Sequence, residues 1–67
     1  MTTLEGFIRA NKIRPSDLAA EAGISRTHLY RLRMGKMNAK VTTAVSIRDA
    51  CHRLLHRHVR ITDVFEM

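Results

Sequence analysis

The chain has 67 residues, a length that allows one compact core spanning 1–67 and leaves no room for a separate catalytic domain. Its 45% hydrophobic content comes mainly from aliphatic and Met side chains, with three aromatics and no Trp, which favours an all-α fold of short packed helices. Twelve Lys and Arg against six acids give a formal net charge of +6, and the stretch Ile24 to Lys40 holds Arg26, Arg31, Arg33, Lys36 and Lys40 with no acid. That local imbalance suits a polyanionic partner, the alternative being a solvated basic face.

Cys51 is the only cysteine, so an intrachain disulfide and a thiolate zinc site are both excluded and a reducing, cytoplasmic setting is expected. No run approaches the roughly 18 apolar residues of a membrane span. Glu5 and Arg9 fall where a signal peptide would be apolar, so export and a membrane partner are not expected.

In chain order, Leu4, Phe7, Ile8 and Asn11 recur at helical spacing behind Thr2 or Thr3 as an N-cap, predicting a first helix over 3–11. Pro15 suits the first position of a second helix, which runs through Leu18 and Ala19 and stops at Gly23. Ser25 caps a third, with Leu29 and Leu32 on one face and Arg26, Thr27, Tyr30, Arg31 and Arg33 elsewhere, ended by Gly35. The gap of two residues at Gly23-Ile24 forces these two helices to cross at a large angle, a helix-turn-helix over 15–35.

Ala44, Ile47, Cys51, Leu54 and Leu55 predict a fourth helix over 42–56 with Arg48, Asp49, His52 and Arg53 on its wet side. Ile61, Val64 and Phe65 around Thr62 and Asp63 read as a turn and a short fifth helix.

From Pro15 to Lys36 the sequence resembles the Cro/C1-type helix-turn-helix domains of phage repressors and bacterial regulators. The resemblance rests on Ala19 where the helices touch, Gly23 at the turn, and Leu18, Ile24, Leu29 and Leu32 as the wedge between them. Gly35-Lys36 and the closing segment Ile61 to Phe65 extend it over nearly the whole chain. Two departures stand out: Arg14 occupies the usual Ser or Thr cap position, and Leu54 to Val59 is a few residues longer than usual.

The resemblance implies a lambda-repressor-like bundle of about five helices that binds double-stranded DNA as a transcriptional regulator, with the third helix in the major groove. Base contacts are then expected from Arg26, Thr27, His28 and Arg31, with Arg26 on a guanine edge. Phosphate contacts are expected from Ser16, Asp17, Ser25, Tyr30, Arg33, Lys36, Asn38 and Lys40, the first two through the amides that open helix two. For Arg26 the competing role is a solvated arginine, for Arg31 a phosphate contact, for His28 simple exposure, and for Tyr30 packing over the wedge.

Relatives also imply a homodimer on an inverted repeat, with Val59, Ile61, Val64, Phe65 and Met67 either forming the dimer surface or closing the core. Rival readings are a protein-interaction module, such as an antitoxin or adaptor that binds a partner protein, and non-specific nucleic-acid binding driven by charge. His52, His56 and His58 have a spacing that can hold a metal but lack a completing carboxylate, so solvent-facing histidines and no metal are expected. With no Gly-rich phosphate loop and no paired acids, neither an enzyme nor a cofactor is expected.

Overall fold

Thr2 opens the first helix: its Oγ1 accepts the Glu5 N–H at 3.0 Å and satisfies one of the amides that a helix start leaves without a partner. In the computed structural model, which describes residues 1–66, this helix, α1, spans Thr3–Ala10. It is followed by α2 over Pro15–Ala22, α3 over Arg26–Arg33, α4 over Val41–Leu55 and α5 over Ile61–Val64. There is no strand among the described residues, so the all-α, five-helix expectation holds, with boundaries displaced by a residue or so.

The helix ends follow from local chemistry. Asn11 closes α1 through its Nδ2, which donates to the Phe7 carbonyl at 2.9 Å, and the next residue, Lys12, turns the chain with a φ of 54°. Pro15 starts α2 at its first turn, while Arg14, in the cap position, makes no side-chain cap bond. Gly23 (φ 72°) ends α2 as the Ile24 N–H donates back to the Ala19 carbonyl at 3.0 Å. In α5 the backbone N–H of Arg60 donates to Asp63 Oδ2 at 3.0 Å, and this bond, ahead of the nearby Arg60 and Arg57 charges, holds the Asp63 carboxyl below its usual range.

The core draws on every helix: Leu4 and Ile8 from α1, Leu18 and Ala19 from α2, Leu29 and Leu32 from α3, Ala44, Ile47, Ala50 and Cys51 from α4, and Val64 from α5. The principal packing partner of α2 is α4, and α1 lies against α3 and α5. Burial without a polar neighbour pushes the Cys51 thiol up to about 11, so it behaves as a small apolar side chain.

Two expectations about the C-terminal part are corrected. Val59 and Val64 are fully buried and close the core, so they are not a dimer surface; Ile61 and Phe65 are half-buried, and Met67 lies outside the described residues. His56 does not share a helix face with His52, because it is the left-handed residue (φ 53°) that ends α4. The chain reverses there and sets His58 edge-on to His52, with ring centres 6.0 Å apart. No three His, Cys, Asp or Glu side chains converge on a potential metal site among the described residues.

Candidate nucleic-acid interface

The α2–α3 turn fixes how α3 is presented. A Cβ added at Gly23 would meet nothing within 4 Å, so glycine is required by backbone conformation alone and not by space. Two residues later Ser25 Oγ accepts the His28 N–H at 3.0 Å and starts α3. Leu29 (1% exposed) and Leu32 (5%) then anchor the helix to the core, which leaves Arg26, Thr27, Tyr30 and Arg31 exposed and His28 half-buried. Arg26 and Tyr30, like Thr27 and Arg31, are four apart and therefore adjacent on the helix surface.

At the far end Gly35 (φ 72°) is constrained twice, since a Cβ there would also approach Thr2 Cγ2 at 3.3 Å. The Lys36 N–H closes the turn on the Arg31 carbonyl at 2.9 Å. Lys36, Asn38 and Lys40 follow as exposed residues of the connection to α4, with the Lys36 ammonium 5.8 Å from the Tyr30 ring centre. Tyr30 is 48% exposed, so it lies on the surface and does not cover the wedge. Ser16 and Asp17 are exposed at the start of α2.

Acid placement separates the basic residues into two sets. Five of the twelve Lys and Arg side chains pair with a carboxylate: Arg9 and Arg33 with Glu5, Arg48 with Asp49, Arg53 with Glu21, and Arg60 with Asp63. The other seven have no acidic partner within 4 Å among the described residues. Arg26, Arg31, Lys36 and Lys40 form one group on α3 and the connection after it, and Lys12, Arg14 and Arg57 the remainder. Arg57 is held by Asn11 Oδ1 at 2.8 Å and lies over the Phe7 ring.

Arg33 therefore departs from its expected role as a phosphate contact. Its Nε donates to Glu5 Oε1 at 2.9 Å and its Nη2 to Oε2 at 3.1 Å, a two-pronged pair in which the Glu5 side chain is 3% exposed and that of Arg33 22%. The Arg33 hydrogen bonds, opposed by burial and aided by the Arg33 and Arg9 charges, hold the Glu5 carboxyl below its usual range. Thr2 completes the clamp: its hydroxyl donates to the Arg33 carbonyl at 2.7 Å while accepting from Glu5, so one side chain caps the start of α1 and the end of α3.

Sequence reasoning missed this clamp. Glu5 is an acid on a helix whose neighbours Leu4 and Ile8 face the core, which is its one local sign; the partner lies 28 residues away. Also missed were the exposed apolar side chains Met34, Met37 and Val41 beside the basic connection.

Comparison with protein-family models, with curated proteins and with solved structures finds no match to this chain.

Proposed function

We propose that this chain is a sequence-specific duplex DNA-binding domain that reads base edges in the major groove with α3 and regulates transcription in the cytoplasm of its cell. The observation that carries the reading is the outer face of α3 with its following connection, where Arg26, Thr27, Tyr30, Arg31, Lys36 and Lys40 are exposed and no carboxylate neutralises the four cations. A face of that kind leaves its positive charge for an outside partner.

The geometry suits the task. Eight residues of helix extend about 12 Å, close to the major-groove width of about 12 Å. With the start of α3 against the base pairs, Arg26 would donate to both acceptors of a guanine edge, and Thr27 would touch a thymine methyl or donate to an acceptor. Arg31, one turn further on, reads a neighbouring base or grips the backbone. Lys36, Asn38 and Lys40 bind phosphates on one flank, and the free amides of Ser16 and Asp17 hold a phosphate on the other, with the Ser25 and Tyr30 hydroxyls adding weaker contacts. His28 is half-buried and reaches only the near edge of the groove.

One such helix covers only part of a groove turn, so tight binding calls for two copies on half-sites about one helical turn apart. Selection from a random duplex pool at near-physiological salt tests the reading. Enrichment of an inverted repeat, lost in Arg26→Ala, is the expected result; uniform retention of all sequences would reduce the activity to charge-driven binding, and no retention would remove DNA as the partner.

A further inference from the structure

The large apolar side chains that are exposed among the described residues are Met1, Tyr30, Met34, Met37 and Val41, and four of these fall between α3 and the start of α4. Beside them runs a groove of about 450 Å³ between the start of α1, the α3–α4 connection and α5, lined by Leu4, Met37, Ala39, Ala44, Val64 and Phe65. The volume lies within the range of about 300–1,000 Å³ typical of binding clefts. Contiguous exposed apolar surface next to a cleft marks a contact site more often than idle surface.

Charge decides what kind of occupant fits. Lys36 and Lys40 bracket Met37 in the connection, and neither has an acidic partner within 4 Å among the described residues. Glu66 is the one carboxylate on the groove lining, and its Oε1 already accepts a hydrogen bond from Thr3 Oγ1 at 2.9 Å. A second copy would bring its own pair of uncompensated lysines against these, a repulsive match. A segment with large apolar side chains flanked by Asp or Glu would fill the groove and neutralise its rim.

We propose that this groove binds an acidic, apolar-anchored peptide segment of a partner protein, and that such a segment competes with DNA because Lys36, Asn38 and Lys40 serve both. The groove assignment stands independently of the DNA-binding reading; the competition rests on it.

The test selects displayed random dodecapeptides on the intact chain, maps the enriched peptides by amide chemical shifts, and titrates them into a complex with labelled duplex DNA. Enriched peptides should combine Asp or Glu with Leu, Met or Phe, shift the amides of Met37, Ala39, Ala44 and Phe65, and displace the duplex. Met37→Ser and Lys40→Gln should each weaken the peptide at least fivefold while leaving the helical circular dichroism unchanged. Absence of enrichment, peptides without acids, shifts confined to other surfaces, or unaltered affinity in Met37→Ser would each overturn the groove assignment. Peptide binding by a chain that holds no duplex would sink the DNA reading alone. Peptide binding that leaves bound duplex in place would overturn the competition.

Discussion

Arg31 and Arg33 are two residues apart on one helix, yet one is exposed without an acidic partner and the other is held in a two-pronged pair with a buried carboxylate. The inner and outer sides of α3 thus use the same side chain for opposite purposes. On the inner side Leu29, Leu32 and Arg33 fasten the helix to α1 and the core; on the outer side Arg26, Thr27, Tyr30 and Arg31 face water. A basic residue on a candidate DNA-binding helix is therefore assigned by where the acids lie, and Glu5 removes Arg33 from the DNA-facing set.

The largest expected effect comes from breaking the inner side. Glu5→Gln leaves the Arg33 guanidinium only 22% exposed and without a counter-charge, and should destabilise the fold by about 3 kcal/mol, the lower end for breaking a buried ion pair. For a chain of this size that lowers the thermal midpoint by more than about 10 °C, measurable by circular dichroism. Replacing both partners, Glu5→Leu with Arg33→Met, should recover most of the loss, since matched apolar groups often equal a buried pair. The double variant also tests the assignment of Arg33: DNA affinity and its salt slope should match the parent, and a shallower slope would return Arg33 to the phosphate contacts.

The same carboxyl sets an acid limb. Because the folded state lowers the Glu5 pKa from an ordinary value of 4.5, its stabilisation is complete above that pH and is lost as pH falls through the lowered folded-state value. Stability measured from pH 7 downward should stay level to about 5 and then decline. In the Glu5→Leu, Arg33→Met variant the decline should be shallower, and an unchanged acid limb would move the effect to other carboxylates.

The outer side should respond in the opposite way. Arg26→Ala is expected to cost about 1–3 kcal/mol in DNA affinity and to relax preference at one base position. Its effect on folding should stay within about 0.5 kcal/mol, because Arg26 is exposed and makes no ion pair among the described residues. A midpoint shift comparable to that of Glu5→Gln would erase the distinction between the two sides. Lys36→Ala should weaken all duplexes alike and reduce the salt slope by about 0.9.

Much of this arrangement was legible in the residues because it depends on short-range signals. Pro15, Gly23, Ser25 and Gly35 mark element ends through their own backbone chemistry, and the spacing of Leu18, Leu29 and Leu32 places the core face within a residue or so. The exposed positions of Arg26, Thr27 and Arg31 follow directly from that spacing. What stayed hidden depends on long-range pairing or on residues in unusual conformations. Thr2 and Glu5 reach Arg33 across about thirty residues, and no periodicity in α3 distinguishes Arg33 from Arg31. His56 ends α4 in a left-handed conformation usually left to glycine, so the helical pattern runs on through it and suggests a His52–His56 face that does not form.

Lys12 is the other such residue, and it sharpens the comparison at the edge of the basic surface. It turns the chain with a φ of 54° as the Ile13 N–H closes α1 on the Ile8 carbonyl at 3.0 Å, a position where a side chain is strained and glycine is not. Lys12→Gly relieves that strain but gives the unfolded chain more freedom to lose, so the net gain should be small, about 0.5 kcal/mol. Lys12 also belongs to the seven cations without an acidic partner within 4 Å among the described residues, so the substitution removes one candidate phosphate contact while improving the fold. If the DNA-facing surface ends at α3 and its connection, the variant should melt higher and bind DNA with unchanged salt slope. A higher melting point with a slope reduced by about 0.9 would instead carry the surface around to the α1–α2 corner, where Arg14 and Arg57 would join it.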